Sequence, residues 1–195
     1  MQRIERRVVL LAGPSGSGKS RVARLADCPS LNLDDFYHDG DHPDLPLTLG
    51  IVDWDDPRSW DAQAAAAAVA ELLADGVATV PQYDITANAA VGTHRIDLGD
   101  ADSFIAEGVF AMELADQCRA AELTTMPLYL DRPRAVVMIL RFVRDLREHR
   151  KPLPILLRRG IALFHADKAL RERATAAGFT RVSLRQALEL IKQKR

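Results

Sequence analysis

Two cysteines in 195 residues, Cys28 and Cys118, with no CxxC and no Cys/His spacing, leave neither a disulfide framework nor a zinc site to organise this chain. They read as buried free thiols of a reducing compartment. Long apolar runs are missing as well. The run that follows Arg6 and Arg7 ends at Gly13, too early for a signal-peptide core, and no later stretch has the length of a bilayer span. The expectation is a cytoplasmic protein with no membrane partner. There is no excess of charge of one sign: 26 Lys and Arg against 27 Asp and Glu give a formal net charge of -1. No broad attraction to a polyanion follows. The local basic pairs, Arg158-Arg159 and the terminal Lys192, Lys194 and Arg195, have no interleaved aromatics to form a stacking platform, so no nucleic-acid partner is expected. No glycine has an Asp three positions before it and no Asn-Lys pair occurs, which removes the switch and base-reading motifs of a GTPase.

What is present is a glycine-rich loop. Gly13-Pro14-Ser15-Gly16-Ser17-Gly18-Lys19-Ser20 fills every fixed position of G-x-x-x-x-G-K-[ST] and follows the apolar run Val8 to Ala12. Glycines let the backbone wind tightly enough for successive N–H groups to face phosphate oxygens, and a helix starting at Lys19 adds the positive end of its dipole. Lys19 is placed to reach the β- and γ-phosphates, and the Ser20 hydroxyl to ligate Mg²⁺. ATP and Mg²⁺ are therefore the expected cofactors.

Composition is that of one globular domain, 48% hydrophobic and 27% charged, and short β-rich runs alternate with helical stretches. The fold class is α/β: a P-loop NTPase three-layer α/β/α sandwich with a mostly parallel sheet, a single domain over 1–195. Strands are expected at Val8–Ala12, Ser30–Leu33, Ser103–Ala106 and Pro127–Leu130, and helices at Lys19–Ala26, Asp61–Ala74, Met112–Ala121 and Arg134–His149. Two acceptor-binding insertions are expected. One, about 36–60, is dense in Asp, Pro, Gly and His and reads as a surface segment over the site; the other, about 79–98, reads as a hairpin. His38, Asp39, Asp41 and His42 crowd one stretch, but Asp39-Gly40 and His42-Pro43 break any helix that would align them, so no structural metal is expected there.

The loop alone fits kinases and mechanical ATPases alike, so acidic residues must discriminate. Leu33-Asp34-Asp35-Phe36-Tyr37 directly follows the second strand, at the edge where such sheets bind ligands. Transfer to a hydroxyl needs a carboxylate to take its proton and a metal to offset phosphate charge, and Asp34 and Glu107 are the candidates. The competing readings are a solvated turn or helix cap for the Asp pair and a strand-end surface charge for Glu107. Trp54 and Trp60 either shape an acceptor pocket or pack the long loop onto the sheet.

In order along the chain, Gly13 to Ser20, Leu33-Asp34-Asp35-Phe36-Tyr37, Asp53-Trp54-Asp55-Asp56-Pro57 with Trp60-Asp61, Pro81-Gln82-Tyr83-Asp84, Ile105-Ala106-Glu107-Gly108, and Arg141 with Arg144-Asp145 resemble the uridine kinase family of P-loop nucleoside kinases, related to phosphoribulokinase and bacterial pantothenate kinase. The resemblance implies Asp34 as base toward a ribose 5'-hydroxyl, Tyr37 against the nucleoside, Asp55 on the ribose hydroxyls, Tyr83 near the pyrimidine and Glu107 beside Mg²⁺. It also implies a single kinase domain over 1–195 with a helical lid at about 141–160, from which Arg141 and Arg144 reach phosphates and nucleoside. The family's base-reading His follows its Y-D-F block closely; here Asn88 stands near that spacing and His94 comes later. The lid sequence Glu148-His149-Arg150-Lys151 departs from the family's E-R-G-R. The expected partner is a small-molecule acceptor, a nucleoside by resemblance, and relatives of this family often form homo-oligomers. The alternatives are a kinase of another small hydroxyl compound, such as pantothenate or a sugar phosphate, and a nucleotide-binding regulator without transfer chemistry.

Overall fold

The computed structural model describes residues 5–14, 16–48, 50–133, 136 and 169–193. Its centre is a five-stranded sheet built from β1 (Arg7–Ala12), β2 (Ser30–Asn32), β7 (Ser103–Glu107), β8 (Thr125–Leu130) and β9 (Thr180–Val182) in the order β2-β7-β1-β8-β9. All four pairings are parallel. The apolar run that begins at Val8 is therefore buried on both faces, as parallel strands are. Val8, Leu10 and Ala12 face one cluster, Val9 and Leu11 the other, and all five are fully buried.

The two clusters are covered by different helices. On the first face lie α2 (Ala62–Asp75) and α3 (Ala111–Ala120), which contribute Ala65, Val69, Leu72, Leu114 and Cys118. The second face is closed by α1 (Lys19–Ala26) through Val22 and Ala26, and by α4 (Leu184–Lys192) through Ala187 and Ile191. The result is the expected three-layer α/β sandwich. Local signals set the ends of these helices. The Asp61 side chain accepts from the Ala64 N–H at the start of α2, and Ser183 and Gln186 cap α4 reciprocally. Cys28 and Cys118 are both buried and form no disulfide.

Strand β1 feeds the glycine loop and β7 lies directly beside it, with Leu11 opposite Glu107; β2 flanks β7, with Asn32 opposite Glu107. The second strand is one residue shorter than expected, because Leu33 turns into a 3₁₀ turn, Leu33–Phe36, that buries Leu33 and Phe36. The segment after it carries a two-stranded ribbon, β3 (Leu47–Thr48) with β4 (Ile51–Val52), and returns at a bridge between Tyr37 and Trp60. Strands β5 (Val77–Asp84) and β6 (Ala89–Asp97) pair as an antiparallel hairpin. Arg134–His149 and the lid at about 141–160 lie, except Val136, outside the described residues. Among the described residues no helix is long and apolar enough to cross a membrane.

Candidate active site

Three turns at the carboxyl ends of β1, β7 and β2 converge. The first is the glycine loop. Gly18 has φ 96 and forms the N-cap of α1, a left-handed conformation that a side chain would strain. Pro14 accepts from the Ser17 N–H at 3.0 Å, and Lys19 folds back so that Nζ donates to the Gly13 carbonyl at 3.0 Å. Lys19 is thereby almost buried, at 9% exposure, which holds a cation over the loop rather than in solvent. The Ser17 hydroxyl is buried, with no hydrogen-bond partner among the described residues. Gly13, Pro14, Gly16, Ser17, Gly18, Lys19 and Ser20 thus form one wound loop, and Ser15 lies outside the described residues.

The second turn follows β7. Ser20 Oγ donates to Glu107 Oε1 at 2.5 Å, so two oxygen ligands of the kind a hard divalent cation takes stand together at the start of α1. Gly108 comes next, where a Cβ would lie 2.6 Å from Leu33 Cβ and 3.2 Å from Asp34 Oδ1. Only glycine lets β7 and the 3₁₀ turn approach this closely.

That approach buries Asp34. The capping oxygen at the 3₁₀ turn belongs to Asn32, which accepts from the Asp34 N–H at 3.2 Å, so the Asp34 side chain is free to point inward. Its Oδ1 is buried and has no hydrogen-bond partner among the described residues. Burial pushes the carboxyl above the usual carboxylate range. The Lys19 charge and the Val109 backbone N–H oppose that shift, while Glu107 and Asp35 add to it. A carboxylate within the fields of both Lys19 and Glu107 stands at the glycine loop, and the solvated-turn reading of this residue does not hold. Asp35 points elsewhere: its Oδ1 accepts from the Tyr83 N–H at 3.3 Å, and burial raises its pKa as well.

Beyond Asp34 lies an aromatic group. Tyr37 meets Trp54 edge-on with centroids 5.5 Å apart, Tyr83 at 5.7 Å and Phe110 at 5.7 Å. Burial raises the Tyr37 pKa, and the neighbouring Asp34, Asp55 and Tyr83 raise it further, so these four sequence candidates share one region. Both phenols are engaged inside the protein, Tyr37 donating to the Trp54 carbonyl at 3.1 Å and Tyr83 to the His38 carbonyl at 3.2 Å. What they can offer a ligand is ring surface. The two tryptophans divide their roles. Trp60 is 3% exposed, stacks on Phe110 and donates Nε1–H to the Leu33 carbonyl at 2.7 Å, which packs the loop onto the sheet. Trp54 remains half-buried beside Tyr37.

His94 sits exposed on β6 opposite Val80, and the ring contacts around Tyr37 do not include it. Asn88 occupies the hairpin tip with φ 49, and its carbonyl accepts from the Gly40 N–H at 2.6 Å. Asp39 Oδ1 accepts from the Ala90 N–H at 2.8 Å. Hairpin and loop are thus tied together, a link that no spacing in the sequence announces. His38 and His42 stack with centroids 4.4 Å apart, beside a shallow cavity of about 510 Å³ that Asp39 and Asp61 also line. Among the described residues no cluster of metal-binding side chains occurs. Arg141 and Arg144 lie outside the described residues.

No family model matches the sequence, and no curated protein matches it. Solved structures do. A Silicibacter sp. TM1040 protein provisionally assigned as a fructose transport system kinase superposes with a TM-score of 0.61 at 18% identity, over 90% of this chain and 86% of that one. A provisionally assigned uridine kinase from Bacillus stearothermophilus superposes with a TM-score of 0.50 at 21% identity, over 76% of this chain and 83% of that one. At these identities the likeness establishes the shared three-layer α/β fold.

Proposed function

We propose that this chain is an ATP-dependent phosphotransferase that moves the γ-phosphoryl group to a hydroxyl of a small acceptor. One observation carries the reading: Asp34 presents a buried carboxylate oxygen, without a hydrogen-bond partner among the described residues, within the fields of Lys19 and Glu107. A carboxylate with a raised pKa beside a phosphate loop is suited to take a proton from an incoming alcohol. A binding module has no need of an acid at Asp34 in addition to the metal-side acid at Glu107. The provisional kinase assignments of both structural neighbours agree with this class of reaction.

In the mechanism, the backbone N–H groups between Gly13 and Ser20 hold the β- and γ-phosphates, and Lys19 neutralises charge on them as the transfer proceeds. Ser20 Oγ and the Glu107 carboxylate fit Mg²⁺ through their converging oxygens. When bound with the nucleotide, that ion supplies further neutralisation of phosphate charge. Asp34 orients the acceptor hydroxyl and accepts its proton. Arg141 and Arg144, outside the described residues, are by the family resemblance the further arginines that would contact the phosphates.

The acceptor we favour is a pyrimidine nucleoside, uridine or cytidine, phosphorylated at its 5'-hydroxyl. The supporting feature is the ring group of Tyr37, Trp54 and Tyr83 with Asp55 nearby, which offers flat surface for a base and a carboxylate for ribose hydroxyls. His94 or Asn88 would read the base edge. The fructose-transport assignment of one neighbour keeps sugars and sugar phosphates in the comparison. A screen of γ-labelled ATP against uridine, cytidine, pantothenate, fructose and a sugar phosphate tests the choice. Label passing to uridine or cytidine is the expected result, and label passing only to a compound without a base overturns the nucleoside reading while leaving the kinase.

A further inference from the structure

The end of β8 holds an arginine that neither the motifs nor the resemblance singled out. Asp131 is fixed there: its N–H donates to the Val182 carbonyl at 2.8 Å, and its carboxylate holds Arg171 at 3.0 Å and Arg181 at 2.5 Å. Arg171 also donates to the carbonyl of Arg132 at 2.8 Å. The backbone of Arg132 is thus clamped, yet its guanidinium has no carboxylate partner among the described residues, whereas its neighbours Arg171 and Arg181 are both paired.

That guanidinium lies against the start of α1. A Cβ placed on Gly18 would be 3.5 Å from Arg132 Nη2 and 3.8 Å from its Cζ, with Arg21 Cβ at 3.9 Å from the same point. Gly18 caps the helix whose first N–H groups face the loop, and Lys19 follows it. Among the described residues no carboxylate pairs with this guanidinium at the first turn of α1, so its charge is placed where an arriving anion can pair with it. Its place in the sheet gives the direction. Asp34, Glu107 and the rings stand on the β2 and β7 side of β1, while Arg132 stands on the β8 side. A triphosphate whose terminal group faces Asp34 extends toward β8.

We propose that Arg132 is a nucleotide-binding residue, its guanidinium fork pairing with the phosphate chain on the side away from the acceptor. This rests on the phosphate-loop reading above. Calorimetric titration of MgATP and of inorganic tripolyphosphate into wild-type protein, R132A, R132Q and K19A tests it without any acceptor. Loss of one charged phosphate contact weakens both ligands roughly 10- to 100-fold in R132A and in R132Q, whose retained stem keeps the packing on α1. The clamp on the Arg132 carbonyl is main-chain, so melting temperatures should stay close to wild type. Wild-type affinity for both ligands in both variants overturns the assignment. So does a loss confined to MgATP, which would place the guanidinium at the base instead. If K19A weakens binding and the Arg132 variants do not, Arg132 alone is wrong; if wild-type protein binds neither ligand, the phosphate-loop reading falls and Arg132 with it.

Discussion

Asp34 is held in a place that suits a base better than it suits the fold. Burial raises its pKa, so the native state binds a proton over a pH window in which the unfolded chain does not. Within that window stability falls as pH rises; the destabilisation is complete above the native pKa and vanishes below the unfolded value. Asp34→Asn removes the charge and should melt at a higher temperature than wild type near pH 7, the difference closing as pH is lowered; calorimetric melts across pH check this. The same shift sets the kinetics. With Asp34 as base, the acid limb of kcat/KM should lie above the ordinary carboxylate range, and a pH–rate profile reads it directly. The sequence placed Asp34 correctly after a strand, because a short apolar run ending in Asp-Asp marks a sheet edge. Its inward turn was not legible, since that depends on Asn32 taking the capping role and on Gly108 opening space from another strand.

At the scale of elements, the approach of β7 to the 3₁₀ turn is what keeps the acid and the glycine loop together. Gly108→Ala sets a methyl 2.6 Å from Leu33 Cβ. Overpacking of this kind costs roughly 1–3 kcal/mol, and the turn must shift to relieve it. A lowered melting temperature together with reduced turnover is expected, measured by thermal denaturation and steady-state assay. Trp60→Phe keeps the stacking on Phe110 but strands the Leu33 carbonyl, a loss of roughly 1–3 kcal/mol that chemical denaturation should detect. Elements with strong local signals were legible: Lys19–Ala26 after the glycine loop, and the Ala-rich α2 between Asp61 and Gly76. The 36–60 segment was not. It has no periodicity because its geometry comes from single contacts, such as Asp53 and Asp56 accepting backbone N–H groups and Trp60 reaching Leu33. The ties between Asp39 or Gly40 and the hairpin tip span more than forty residues and leave no local pattern.

For the molecule as a whole, the parallel order β2-β7-β1-β8-β9 puts every chemically useful turn at one edge and sorts them by side. The acceptor-side rings and Asp34 gather beyond β2 and β7, and Arg132 marks the other flank beyond β8. Such an arrangement suits a two-substrate transfer, with phosphate held at the middle over β1. The measurement that bears most directly on this is acceptor-dependent ADP release by wild-type protein and Asp34→Asn side by side, with MgATP affinity taken on both by calorimetry. Wild-type protein should release ADP only when uridine, cytidine or another small hydroxyl acceptor is added, while the variant binds MgATP as tightly and turns over roughly 10²- to 10⁴-fold more slowly. ADP release that no acceptor stimulates, or equal turnover in the two proteins, would contradict a phosphotransferase with Asp34 as its base.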